Sequence, residues 1–200
     1  MTTPLITEHP DTERPIRRVT DAAQERVHHA VTEPAGSPRR APAERYAWAL
    51  TRIGLGWLFF WAFIDKMFGL GHDTTSGQAW INGGNPTKGY LSSATGPLDG
   101  LFQGMAGGWL VNVLFMAGLL AVGAALMLGV AHRLATLGGV LLVALMWVSH
   151  LPPDSNPFLD DHLIYAAVLV GLLFAGADRT LGLGERWSKL GIVRRLPLLR

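Results

Sequence analysis

Residues 109–131 read WLVNVLFMAGLLAVGAALMLGVA, 23 consecutive positions without Asp, Glu, Lys or Arg. An α-helix rises about 1.5 Å per residue, so roughly 20 apolar residues cross a hydrocarbon core about 30 Å thick. The stretch therefore predicts a membrane-spanning helix. Three further apolar runs accompany it: Tyr46–Ile64, Leu134–Leu151 and Leu163–Ala177. The last is short, and it gains length when started at Pro157 and carried to Leu181. Backbone polar groups in lipid must be paired within the segment, which leaves helices as the spanning form. The expected fold is all-α, a four-helix transmembrane bundle. Small residues such as Gly118, Ala121, Ala125 and Gly138 would allow its helices to approach closely.

Outside these runs the composition changes. The first 45 residues hold Pro4, Pro10, Pro15, Pro34, Pro38 and Pro42 and no aromatic residue, so they cannot bury enough apolar surface to offset their ordering entropy. Residues 1–44 read as a disordered cytoplasmic tail, in which Thr20 or Asp21 can cap a short helix over Thr20–Ala30. They contain no apolar stretch of the signal-peptide kind. Residues 45–190 form the expected membrane domain, and 191–200 a basic cytoplasmic tail. The chain has no cysteine, which excludes disulfides, iron–sulfur clusters, covalently attached haem and thiol catalysis. A formal charge of +2 without a basic run argues against a nucleic-acid partner.

Basic residues sort across the runs. Arg39, Arg40, Arg45, Arg133, Arg179, Arg186, Lys189, Arg194, Arg195 and Arg200 fall on one side. The other side has Lys66 and Lys88, with Asp65, Asp73, Asp99, Asp154, Asp160 and Asp161. The positive-inside rule then predicts a multi-pass protein of the cell membrane with both termini cytoplasmic. Two outer loops follow, about 66–108 and about 152–160. In the first, Leu98, Leu101, Phe102 and Met105 have helical spacing and suit a short interfacial helix. The alternating apolar and basic residues of Trp187–Arg200 suit anionic lipid, or are simply the basic flank of a span.

Charges within the runs are the informative ones, since a charge at the bilayer centre costs about 3 kcal/mol by insertion scales. Arg52 lies inside the first run and Asp178 closes the fourth. The two suit a structural ion pair; the alternative is that Arg52 snorkels to the headgroups. At the outer end stand Lys66, His150, Asp160, Asp161 and His162. Asn156 followed by Pro157 reads as a helix start, with the two acids in the first turns. Helix-start chemistry alone can account for those acids. The functional alternative makes Lys66, Asp161 and His162 a catalytic cluster, with His162 as proton carrier. Tyr165 shares a helix face with Asp161 at i, i+4.

The histidine and acid spacing matches no standard metal set, and no pair of histidines suits axial haem ligation. Neither group is expected. A quinone head group needs an interfacial slot, a donor, a proton-active residue and aromatic walls. Trp147, Trp80, Tyr165 and Phe158 can supply the walls and His150 a proton-active side chain. A quinone is the cofactor this pattern admits.

Several stretches resemble one membrane family. Gly56-Trp-Leu-Phe-Phe-Trp-Ala-Phe-Ile-Asp-Lys-Met-Phe-Gly is similar to the first helix of DoxX/DoxD-type proteins. Ala79-Trp-Ile-Asn-Gly-Gly-Asn-Pro-Thr-Lys-Gly-Tyr-Leu and Asn156-Pro-Phe-Leu-Asp-Asp-His-Leu-Ile-Tyr extend the likeness over about 45–190, in the manner of the actinobacterial branch with a long first outer loop. The resemblance implies a four-helix bundle. It also implies a membrane subunit of a quinone-linked redox system, of the kind that passes electrons from thiosulfate to quinone together with other subunits. Members that serve as membrane partners in redox-stress complexes imply the alternative, a non-catalytic accessory or anchor subunit of a larger respiratory or redox-stress complex. The implied partners are the lipid bilayer and other protein subunits.

Overall fold

A computed structural model describes residues 41–153 and 156–199. The expected tail up to residue 40, with its Thr20–Ala30 helix, lies outside the described residues. Among those described, secondary structure is helical apart from one isolated bridge between Thr95 and His150. Helix α1 runs Pro42–Phe68, α2 Lys88–Ser92, α3 Asp99–Met105, α4 Trp109–Leu128, α5 His132–Ser149 and α6 Asp161–Ala175. Two short helices follow, α7 over Gly184–Trp187 and α8 over Gly191–Arg195.

Among the described residues three helices, α1, α4 and α5, are long and apolar enough to cross a membrane. They correspond to the first three apolar runs. Helix α1 opens with Pro42 in its first turn, where the missing N–H costs nothing. It begins earlier than the apolar run because Arg45 and Glu44 are tolerated on an exposed first turn.

The fourth run behaves differently from the sequence reading. Asn156 does not start the helix: its Oδ1 accepts from Phe158 N–H at 3.1 Å and Leu159 N–H at 3.2 Å, closing a local turn. Asp160 is the cap instead, extended in backbone and accepting from Leu163 N–H at 3.2 Å. The helix stops at Gly176, in the left-handed region at φ 58, rather than reaching Leu181. Helix α6 is therefore 15 residues, about 22 Å at the helical rise.

Helix α1 packs on α4, α4 on α5, α5 on α6, and α6 returns to α1. Leu55, Phe59, Met116, Leu119, Val122, Leu126, Val143, Leu169 and Leu172 fill the space between them. The closest approach is α1 to α4. A Cβ on Gly123 would lie 2.6 Å from Phe60 N, and one on Gly56 2.8 Å from Met127 N. These two glycines, rather than the four small residues picked from sequence, set that spacing. Gly118 and Gly138 do lie at the α4–α5 contact, facing Leu142 and Val122, but Ala121 is exposed.

Outward faces are apolar as well: Leu58, Leu110, Leu120, Leu137 and Phe174 are exposed. Helices apolar on every side suit lipid rather than water. At the end remote from the long loop, α7 and α8 fold back. Val193 is fully buried, and Arg133 Nη1 donates to Pro197 O at 3.1 Å. Residues 191–199 thus belong to the same compact unit as the helices, which spans 41–200, instead of forming a separate tail.

Candidate functional site

The long loop between α1 and α4 is tied down at named points. Asn112, the one amide in the apolar 109–131 stretch, is buried in α4 and accepts on Oδ1 from Thr87 Oγ1 at 2.6 Å and Thr87 N–H at 3.1 Å. Tyr90 OH donates to Met146 O at 3.3 Å, and Thr95 N–H to Ser149 O at 2.9 Å. The expected interfacial helix is α3, but only Phe102 of its four apolar residues is buried. Each tie replaces a backbone or side-chain partner that water would otherwise supply.

This anchoring roofs a cavity of about 1260 Å³ between the loop and the α4–α5 face. The walls change character with depth. Near the loop stand Lys66, Lys88, Asp73, Asn85, Thr87 and Tyr90. Further along α4 and α5 the lining is Leu114, Phe115, Leu141, Leu142 and Leu145, with Gly118 and Gly138 opening a notch. Asn85 donates from Nδ2 to Gly107 O at 3.1 Å, while its buried Oδ1 has no hydrogen-bond partner. A buried acceptor left bare costs about 1–3 kcal/mol.

At the margin of the cavity lies His150, which caps the end of α5. Its ring centroid is 4.3 Å from that of Tyr90. Ser149, fully buried and lining the cavity, contacts His150 Nδ1 at 2.9 Å. Exposed Ser93 contacts Nε2 at 3.4 Å. Burial pushes the Tyr90 phenol above its ordinary value; a hydrogen bond to Ser149 opposes this, and the negative charges of Asp160 and Asp161 reinforce it.

The residues selected from sequence scatter around this centre. His162 Nδ1 lies 2.7 Å from Asp160 Oδ2 and 3.3 Å from Asp161 Oδ1. Among the described residues no ion pair joins Lys66 to Asp161. Lys66 lines the cavity instead, so the expected three-residue cluster is divided between two places. Ligand-type atoms of Asp160, Asp161 and His162 fall within 4.8 Å of one another, and the helix start and mutual hydrogen bonds account for that grouping.

The aromatic walls also differ from expectation. Trp80 and Tyr165 pack on the apolar core, and Trp147 Nε1 donates to Phe158 O at 3.1 Å, none of them lining the cavity. The actual polar roof is Thr87, Lys88 and Tyr90; the sequence placed Lys88 among the outer charges, and Thr87 and Tyr90 entered only with the family resemblance. Its one local signal was Asn112, an amide placed where lipid solvation demands a partner.

Arg52, at the opposite end, is fully buried and therefore does not snorkel. It also makes no ion pair with Asp178 among the described residues. Nε donates to Ala177 O at 3.1 Å. Nη1 donates to Leu126 O and to Met127 O, the latter at 3.0 Å, and Nη2 to Thr180 O at 3.3 Å and Leu181 O at 2.8 Å. All five guanidinium donors are used. The acceptors are carbonyls at and just beyond the C-terminal ends of α4 and α6, where partial negative charge gathers; Leu126 O also accepts from Gly129 N–H at 3.2 Å. Asp178 acts on Arg52 through charge alone.

Over the described residues these features define an all-helical structure with three membrane-length apolar helices and an amphipathic cavity at one end, compatible with a membrane protein. Comparison with family models, with curated proteins and with solved structures finds no match.

Proposed function

We propose that this chain is a DoxX-type integral membrane subunit of a quinone-linked redox system, working with other protein subunits, and that the cavity under the long loop receives the quinone. In this reading α6 spans together with α1, α4 and α5, its short length met by local thinning of the bilayer. Both termini face the cytoplasm, on the side of most basic residues. The observation that carries the reading is the graded lining of the cavity. Lys66 and Lys88 offer donors to carbonyl oxygens, the Asp73 carboxylate offers an acceptor to a quinol hydroxyl, and Leu114, Leu141 and Leu145 continue into a slot for an apolar tail. A head group that alternates between acceptor and donor oxygens uses both kinds of partner.

Purification in mild detergent, followed by extraction and chromatography of bound lipids, tests this. Near-stoichiometric quinone is expected with the wild-type chain. Leu141→Trp, which fills the slot, should abolish it, and Lys88→Ala should weaken binding about 10-fold, the loss of one hydrogen bond to a charged donor. Wild-type protein that neither retains quinone nor binds added quinone would overturn the reading.

A further inference from the structure

We propose that the ligand of the cavity enters and leaves sideways, from the bilayer, through the seam between α4 and α5, and that its tail lies in that seam while it is bound. The inference rests on the reading of the cavity as a quinone site. It adds the route of exchange and the class of quinone, one borne in the lipid on a long apolar tail. Leu114, Leu141 and Leu145 line the cavity, yet they are 63%, 59% and 50% exposed. The protein leaves half or more of each side chain uncovered, so the wall is open where these three stand.

Helical periodicity gives the direction of the opening. On α4, exposed Leu110, Leu114, Ala117 and Ala121 follow one another at helical spacing. On α5, exposed Leu134, Leu137, Leu141 and Leu145 do the same. Residues so spaced share one helix face. Leu114 and Leu141 therefore belong both to the cavity wall and to the outward apolar stripes of their helices. Between the stripes, Gly118 and Gly138 put no side chain into the seam. A Cβ on Gly118 would lie 3.1 Å from Leu142 Cδ1, and one on Gly138 3.5 Å from Val122 Cγ2. From Asn112, which holds the loop, to Gly118 is about 9 Å along α4 at the helical rise. The seam thus runs from the polar roof towards the middle of a hydrocarbon core about 30 Å thick. Lys66, Lys88 and Asp73 keep the head group at the roof, and the tail points inward. A tail leaving along the seam stays among apolar groups throughout, whereas one leaving past the loop would expose its methylenes to water.

The test is photolabelling of the full chain in phosphatidylcholine–phosphatidylglycerol vesicles, with a decyl-substituted benzoquinone that carries a diazirine at the end of its tail. Light fixes the tail end where it lies, and peptide mass spectrometry locates it. Adducts should fall on α4 and α5 around Gly118 and Gly138 and on the neighbouring outward positions Ala117 and Leu137. Excess unlabelled decyl benzoquinone should abolish them. Ala117→Trp, which sets a bulky side chain beside the opening, should slow displacement of the probe by unlabelled quinone severalfold without moving the adducts. Competed adducts on the loop over 85–105, or displacement in Ala117→Trp as fast as in wild type, overturns the inference while leaving the quinone site standing. Labelling of wild type that excess quinone leaves unchanged, or no labelling at all, overturns both.

Discussion

Arg52 Nε donates to the carbonyl oxygen of Ala177, 125 positions away in sequence, at 3.1 Å. That single bond is one of five by which a guanidinium holds the ends of α4 and α6 together. The space for it is made by small residues. A Cβ on Gly129 would lie 3.1 Å from Nη1, and one on Gly182 3.1 Å from Nη2.

Arg52→Lys should destabilise the protein strongly. Lysine has three donors for five acceptors, so two buried carbonyls stay bare, at about 1–3 kcal/mol each. Asp178→Asn leaves the carbonyl net intact and should cost under about 1 kcal/mol. Thermal unfolding of both variants in one detergent checks this. Equal losses would mean that the carboxylate, and not the carbonyl net, is the true partner.

Gly123→Ala should also lower the melting temperature, because its Cβ would meet backbone atoms of Phe60 at 2.6 and 2.8 Å and force α1 from α4. Overpacking of this kind costs about 1–3 kcal/mol. Gly54→Ala is the control, since nothing lies within 4 Å of its Cβ position. It should be neutral or stabilising through helix propensity.

The start of α6 should be acid-sensitive. Burial works to raise the Asp160 carboxyl, but hydrogen bonds from His162 and Leu163 N–H outweigh it and hold it below its ordinary value of 3.8. A carboxyl lowered in the folded state stabilises the fold fully above its unfolded value and loses that contribution as pH falls through the folded one. Asp160→Asn keeps a capping oxygen and should flatten the acid response of unfolding below about pH 4. Asp160→Ala should in addition lose about 1 kcal/mol of capping. An unchanged acid limb in Asp160→Asn would assign the response to another group.

Topology can be read with single cysteines, since the chain has none of its own. Ser92→Cys on the long loop and Ser188→Cys at the opposite end are both exposed positions. In intact cells an impermeant thiol reagent should label the first and spare the second. The reverse pattern would invert the proposed orientation.

Apolar patterning along the chain was enough to locate the long helices and their approximate limits. A 23-residue uncharged run has few ways to satisfy its backbone in lipid, and that constraint is local. It also singled out Arg52, because an isolated charge inside such a run needs a partner. Which partner was a tertiary matter. The net of carbonyls forms only where α4 and α6 end beside each other, a juxtaposition that no spacing in the chain encodes. The same holds for the loop end. Lys66, Asp161 and His162 have the same expected depth along the helix axes, and depth is what periodicity reports. Azimuth around the bundle is decided by how Gly56 and Gly123 let α1 close onto α4, and by how Asn112 pins Thr87. Those contacts put Lys66 under the loop with Lys88 and Tyr90, and left His162 with its two neighbouring carboxylates.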